Sequence, residues 1–187
     1  RYRATPPFCG SVIRRFHRNA SAMKKIAARD FEDLLQCAIP AFEGLFPDTQ
    51  HDNAVQDLLF NLAEWHATAK LRLQTDSTFE VLQQCTRDLG SRLRSFVKNI
   101  CPSYDTKELP REEAACKRRN AKKATIGQAA SETIQASTSR SNLNSGPKQR
   151  TLNLITSKLH VLGDYVSQII LFGTTDSYST QAVSSHL

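Results

Sequence analysis

The sequence predicts an all-α fold, an irregular bundle of three to four amphipathic helices with a disordered polar linker before the last helix. Two observations support this. Apolar residues recur at intervals of three and four along several segments, as on one face of an α-helix. Strand-like alternation is limited to the short stretch "TLNLI". Each such helix must bury its apolar stripe against neighbours, so the stripes are expected to meet in a bundle.

Composition divides the chain of 187 residues into five segments. They are a disordered N-terminus (1–11), a helical domain (12–124), a disordered linker rich in Ser, Thr, Asn and Gln (125–150), a closing helix that packs on the bundle (151–174) and a disordered tail (175–187). With 40% hydrophobic residues, the chain can bury one core of moderate size.

The first helix is expected within the region that begins at residue 12, and Pro40 should end or kink it. Its apolar stripe comprises Met23, Ile26, Ala27, Phe31, Leu34, Leu35 and Ala38. The second helix covers 52–73, with Asp52 as the expected N-cap. Its stripe comprises Val55, Leu58, Leu59, Leu62, Ala63, His66, Ala69 and Leu73, with Trp65 beside it.

The third helix is predicted to start near Asp76 or Ser77, with Glu80 in the capping-box position relative to Ser77. Gly90 lowers its helix propensity and suggests close packing there. The stripe comprises Phe79, Leu82, Cys85, Leu89, Leu93, Phe96, Val97 and Ile100, and Pro102 ends the helix.

The closing helix is predicted from Ser157 to Leu171, and Gly173 fits a left-handed cap at its end. Leu159, Leu162, Tyr165, Val166 and Ile169 share one face of it.

The net charge of +7 favours anionic partners such as nucleic acid. The five cysteines include no C-x-x-C pair, which argues against a disulfide framework and against a zinc finger and favours a reducing compartment. No run of about 18 apolar residues occurs, so no membrane span is expected. We therefore expect an intracellular protein with no membrane association.

Two pairs of side chains are candidates for catalytic or metal-binding groups. Glu64 and His66 lie two residues apart and therefore point away from each other on a helix, which favours a histidine at the edge of the core. His160 and Asp164 lie one turn apart, where a surface hydrogen bond is favoured over a metal site because further ligands are scarce. We expect no catalytic residue, no metal and no cofactor.

The strongest charge signal is the basic run Lys117, Arg118, Arg119, Lys122 and Lys123, which contains no carboxylate. Such a run can bind the phosphates of nucleic acid, or serve as a nuclear localisation signal. The alternative, a solvated helix face, carries equal weight. A second basic region near the N-terminus comprises Arg14, Arg15, Arg18, Lys24 and Lys25.

Three stretches carry a family resemblance: "KLHVLGDYVSQIILFGTTDSYSTQ", "AMKKIAARDFEDLLQCAIPAFEGLFP" and "LLFNLAEWHATAKLRLQTDSTFEVL". They resemble the helical C-terminal region of fungal (basidiomycete) transposon-encoded proteins, the Plavaka-like transposases and their relatives, over 16–109 and 151–181. The resemblance implies an RNase H-like transposase with acidic metal-binding residues and a long helical insertion. This chain departs from the pattern: Ile170 and Leu171 stand where two arginines are expected, and no Glu follows Gln181.

The sequence thus favours a non-catalytic helical fragment of a transposon-derived protein with weak, non-specific affinity for nucleic acid. One alternative is part of an active RNase H-like transposase that works with a separate nuclease segment. Another is a helical protein-interaction module unrelated to nucleic acid.

Overall fold

The computed structural model describes residues 1–8, 13–23, 26–128 and 147–175, with the backbone alone for 122–128. The helices are α1 (Ala28–Gln36), α2 (Ala38–Phe42), α3 (Thr49–Ala69), α4 (Asp76–Ser95), α5 (Pro110–Gln128), α6 (Ser157–His160) and α7 (Tyr165–Phe172). Over these ranges no β-strand forms, and the all-α prediction is confirmed.

The chain divides into two compact units. The first combines Arg1–Ile100 with Asn153–Leu187, and the second is Cys101–Leu152. The sequence had placed 12–124 in one helical domain, whereas α5 belongs to the second unit. The sequence of α5 already shows the difference, because it has almost no apolar stripe.

The core of the first unit lies between α3, α4 and α7. Its buried cluster comprises Trp65, Ala69, Leu82, Cys85, Leu89 and Ile169, with Leu58, Leu62, Phe79, Leu93, Leu162, Tyr165 and Val166 packed around it. These residues recur at helical spacing on each element, so one face of each helix is removed from water. The closing segment therefore packs on α3 and α4.

Trp65 is a member of this buried core, and its indole has a partner at the nitrogen and another at the ring. Its Nε1 donates a hydrogen bond to Thr86 Oγ1 at 2.9 Å, and its ring meets Tyr165 edge to face at 4.9 Å. Because a buried indole N–H needs an acceptor, Thr86 fixes both the position and the orientation of the ring.

The first helix starts later than the sequence predicted. Residues 14–19 are irregular, 20–22 form a 3-10 turn, and α1 begins at Ala28. Within α1 the predicted stripe is wrong at Phe31, whose side chain is 59% exposed, and Asp33 is buried instead. The cause is an ion pair, because Arg14 Nε donates to Asp33 Oδ2 at 2.8 Å and so satisfies the buried carboxylate.

The N-cap of α3 is Asp48 and not Asp52. Asp48 Oδ1 accepts hydrogen bonds from the backbone N–H groups of Gln50 and His51. The Asp52 carboxylate, one turn later, accepts from the N–H groups of three residues, Gly44, Leu45 and Phe46. It therefore holds the preceding turn, and its pKa is lowered chiefly by the hydrogen bonds from Gly44 and Phe46.

α3 also ends earlier than predicted, at Ala69, which leaves Leu73 78% exposed in the loop that follows. The capping box of α4 uses Thr75 and Thr78 rather than Ser77 and Glu80. The Thr75 side chain accepts from Thr78 N–H, and the Thr78 hydroxyl accepts from Thr75 N–H at 2.8 Å. In this capping box the N3 residue is therefore Thr78, where the sequence had predicted Glu80.

The closing helix is interrupted by a 3-10 turn at Val161–Asp164. The helix ends at Gly173, with φ of 89° and ψ of −177°. This φ favours glycine as predicted, although the residue is extended in ψ rather than left-handed helical.

The ends of the second unit are held by an extended pair. Lys107 and Gln149 form an isolated antiparallel bridge. Arg150 pairs with the Glu108 carboxylate, whose side chain is only 2% exposed. Disorder was predicted for the linker 125–150, but both of its ends are ordered. Residues 125–128 continue α5, and 147–150 belong to this extended pair. Residues 129–146 lie outside the described residues.

The expected disorder of 1–11 also differs from what is seen. Tyr2–Ala4 form a 3-10 turn, and Tyr2 meets Phe16 edge to face at 5.3 Å. Phe8 and Ile13 exchange two backbone hydrogen bonds. Residues 9–12 and most of the tail, 176–187, lie outside the described residues.

Candidate nucleic-acid interface

α5 owes its helical state to local sequence rather than to burial. Ala, Glu, Lys and Arg dominate it, and these residues have high helix propensity. Glu112 and Glu113 occupy the first turn, where a negative charge suits the helix dipole. Glu112 Oε2 also accepts from Leu109 N–H at 3.1 Å, so this carboxylate caps the helix start.

The helix is largely surrounded by solvent. Over 110–121, the part of α5 whose side chains are described, no side chain is buried. Within that range only Glu113, Ala115 and Cys116 are half-buried. A helix that buries so little leaves most of its circumference open to a partner.

The basic run lies on this exposed surface. Lys117 Nζ pairs with Glu113 Oε1 at 2.7 Å, one turn away, with the lysine side chain 64% exposed. Arg118 and Arg119 are exposed, and among the described residues neither forms an ion pair or a hydrogen bond through its side chain. The backbone of Lys122 and Lys123 belongs to α5, and the structure does not describe their side chains.

Helical register aligns part of the run with a further cation. Arg111, Arg118 and Lys122 are separated by seven and four residues, close to two turns and one turn. They therefore occupy one side of α5 in a row about 16 Å long. The pair between Lys117 and Glu113 is too exposed to resist a competing phosphate, since such pairs contribute about 0–1 kcal/mol.

The second basic region belongs to the first unit. Arg14 is engaged, because Nη2 contacts Asp30 Oδ1 at 2.7 Å while Nε contacts Asp33. These bonds, that to Asp33 above all, raise the pKa of Arg14. Arg15 and Arg18 are exposed, and Lys24 and Lys25 lie outside the described residues.

The structure adds cations that sequence spacing did not connect to this region. Arg1 Nη2 donates to the Gly44 carbonyl at 3.1 Å, and the Arg1 guanidinium also bonds the Glu43 carbonyl. Arg1 and Arg3 line the same cavity as Arg15 and His17. Sequence reasoning missed Arg1 and Arg3 because no motif predicts the contact between Tyr2 and Phe16 that brings 1–4 to 14–18, although the arginines themselves were visible.

Among the described residues no ion pair joins Glu64 to His66 or Asp164 to His160. His66 faces Glu32 rather than Glu64, with Nε2 4.0 Å from Glu32 Oε1, and Glu32 Oε1 also accepts from Lys70 Nζ at 2.6 Å. His160 and Asp164 are both exposed. Within the described ranges no group of three or more His, Cys, Asp or Glu is placed to hold a metal ion.

Cys37, Cys85, Cys101 and Cys116 are free thiols. Cys37 and Cys85 are buried, and burial is the main reason that their pKa values are raised. Such thiols are poor nucleophiles at neutral pH and act as small hydrophobic residues. In the described part of the chain, no helix has the length and apolar character needed to cross a membrane.

Fold and surface together define a helical protein with a cationic, exposed helix. Comparison with protein-family models, with curated proteins and with solved structures gave no match to this chain.

Proposed function

We propose that this protein is a non-catalytic helical module that binds nucleic acid weakly and without sequence preference through α5. The residues of the interface are Lys117, Arg118, Arg119, Lys122 and Lys123. The resemblance to transposon-encoded proteins supports a nucleic-acid partner and motivates the proposal that the chain derives from such an element.

One observation carries the proposal, namely the exposure of Arg118 and Arg119 without ion pairs among the described residues. On a solvated helix face, residues of opposite charge usually lie three or four positions apart and pair with one another. In α5 the two glutamates are confined to the first turn, and one of them caps the helix. The basic run beyond Lys117 therefore keeps its positive potential available for phosphates.

Phosphate contact should dominate over base recognition. The interval 105–150 contains no aromatic residue, so base stacking contributes nothing from this segment. Guanidinium and ammonium groups on one helix can follow a phosphate backbone without reading base edges. The expected result is similar affinity for different sequences.

The test is the salt dependence of binding to a labelled duplex. If about four phosphates are neutralised, log K against log salt should have a slope of roughly −3 to −4. Replacing the five basic residues by Gln should flatten the slope and leave helicity unchanged. A matched control replaces five exposed cations of the first unit, Arg87, Arg92, Arg94, Lys98 and Lys158, and should keep most of the slope.

A salt-independent response of the parent protein, or equal losses in both variants, would refute the assignment to α5. The protein-interaction module would then be the better account. The non-catalytic part of the proposal is tested separately, by incubating plasmid DNA with Mg²⁺ or Mn²⁺. Nicking that is lost in a variant with Asp164→Asn and Asp176→Asn would favour the active transposase instead.

A further inference from the structure

Two neighbouring cavities in the first unit have walls rich in arginine. Each has a volume of about 490 Å³, and both are lined by Arg15, Phe16 and His17. We call them together the arginine cleft, defined by Arg1, Arg3, Arg14, Arg15, His17 and Arg18. The volume lies within the range of small-molecule sites, roughly 300–1,000 Å³.

The segments that form the cleft are held together by ring contacts and hydrogen bonds, and most of the cations of the cleft take no part in them. Phe16 is 8% exposed and packs against Tyr2, which joins the segment 1–4 to the segment 14–18. Two backbone hydrogen bonds between Phe8 and Ile13 also hold these two residues together. Arg1 is tied to backbone carbonyls of 41–44, so the N-terminal segment is also held against the end of α2.

The charges of the cleft are unbalanced. Its acidic residues, Asp30 and Asp33, are both engaged by the one guanidinium of Arg14. Arg3, Arg15 and Arg18 are exposed and form no ion pair within the described residues. Like charges held close together repel one another, and an anion bound among them would relieve that repulsion.

We infer that the arginine cleft is a binding site for a phosphate group. A phosphate offers several oxygens and more than one negative charge, so it can accept from Arg15 together with Arg3 in one cavity or with Arg18 in the other. Guanidinium groups match this geometry through paired N–H donors. A single carboxylate, with one charge and two oxygens, would leave cations of the cleft unsatisfied.

The same chemistry can come from a free phosphorylated small molecule or from the backbone of a nucleic acid. The site is independent of α5, which belongs to the other unit. The inference therefore does not rest on the function proposed above.

The experiment measures binding of four probes to the whole protein by titration calorimetry: pyrophosphate, a 5′-mononucleotide, a short single-stranded DNA, and citrate as a carboxylate control. The test variant is R3Q/R15Q/R18Q, which leaves the structural bonds of Arg1 and Arg14 intact. The matched control is R87Q/R92Q/R94Q, which removes three exposed cations from α4.

We expect the phosphate probes to bind and the test variant to lose roughly tenfold or more in affinity, while the control loses less than about threefold. Pyrophosphate or mononucleotide binding identifies a free phosphorylated ligand. Binding of DNA alone identifies a nucleic-acid backbone if R3Q/R15Q/R18Q weakens it in a protein whose five α5 residues are already changed to Gln. Binding of no phosphate probe, equal losses in the two variants, or citrate binding as strong as pyrophosphate binding would overturn the inference.

Circular dichroism of R3Q/R15Q/R18Q should match the parent protein. If it does not, the single variants R15Q and R18Q decide, each being expected to weaken pyrophosphate binding. The variant with the five α5 residues changed to Gln should keep pyrophosphate binding, so this result is separable from that for duplex DNA.

Discussion

Residues that are distant in the chain meet at the centre of the first unit. Trp65 comes from α3, Leu82 from α4 and Ile169 from α7, and all belong to one buried cluster. Leu82 is completely buried, with 0% of its surface exposed. Because protein interiors are close-packed, a cavity at this position would remove contacts with more than one helix.

Leu82→Ala should lower the free energy of unfolding by about 2–5 kcal/mol, through lost burial and the cavity left behind. The control is Leu73→Ala, because this leucine is 78% exposed and its truncation should change stability by less than about 0.5 kcal/mol. Urea unfolding followed by tryptophan fluorescence measures both. Equal effects would mean that the cluster is not the stabilising core.

His66 is a half-buried imidazole that faces Glu32, and the same Glu32 oxygen pairs with Lys70. Burial lowers its pKa from the ordinary value of 6.5, Glu32 opposes this shift, and Lys70 adds to it. The folded state thus prefers the neutral ring. As pH falls below 6.5, the unfolded chain takes up the proton first, so stability decreases until the pH has passed below the folded pKa.

The free energy of unfolding should therefore be constant with respect to His66 above pH 6.5 and decline below it. His66→Gln should remove that part of the decline, whereas His160→Gln, at an exposed position, should not. Urea unfolding at pH 5 to 8 measures the effect, and an NMR titration reports the pKa directly. A His66 pKa at or above 6.5 would contradict the argument.

At the scale of elements, helical periodicity predicted α3, α4 and α7 well, because their stability comes from one apolar face each. It failed in α1, where the pair between Arg14 and Asp33 buries a carboxylate and Phe31 is exposed. Local spacing cannot reveal a partner 19 residues away. The basic run could be predicted from the sequence because its residues are close together in the chain and lie on one helix.

Gly90 is another position that local sequence did not predict correctly. Its expected role in close helix packing is not seen. The three atoms nearest to a Cβ added there all belong to the guanidinium end of Arg94, the closest at 3.3 Å. That flexible side chain can move aside. Gly90→Ala should therefore stabilise the protein by about 0.5–1 kcal/mol, through higher helix propensity.

The comparison variant for Gly90→Ala is Gly173→Ala, at a φ of 89°. That substitution should destabilise by about 1 kcal/mol or more, because a side chain is strained at this φ. Thermal unfolding of the two variants should shift in opposite directions. Destabilisation by Gly90→Ala would indicate that α4 has a close neighbour at this position.

The extended pair of the second unit depends on one buried carboxylate. Glu108 N–H donates to the Lys148 carbonyl at 2.9 Å, and Arg150 N–H donates to the Thr106 carbonyl at 2.8 Å. The Arg150 side chain, 56% exposed, supplies the positive charge for Glu108. Without it the carboxylate would be buried and unpaired, which is unfavourable.

Arg150→Gln should therefore open this pair and speed hydrogen exchange at Glu108 N–H by roughly tenfold or more. Adding Glu108→Gln should restore part of the protection, because an uncharged amide costs less to bury. Lys107→Gln is the control, since its partner Asp105 is exposed. Unchanged exchange in Arg150→Gln would show that the backbone bonds alone hold the pair.

At the scale of the whole molecule, the first unit is built from two stretches of chain separated by the second unit. α7, which contributes to the core of the first unit, follows the second unit, 101–152, in the chain. The two proposed anion sites divide in the same way, with the arginine cleft in one unit and the basic run of α5 in the other. They should therefore be separable.

Replacing 101–152 by a flexible Gly/Ser linker of about 20 residues should leave the first unit folded, because the linker supplies reach without adding contacts. Cooperative unfolding and a native-like Trp65 emission spectrum would show this. The variant should bind pyrophosphate as the parent does and bind duplex DNA as weakly as the five-Gln variant. Adding Ile169→Ala should destabilise it by about 2–5 kcal/mol, since α7 must still dock. If the linker variant does not unfold cooperatively, or if Ile169→Ala has no effect in it, the first unit depends on the second for its stability.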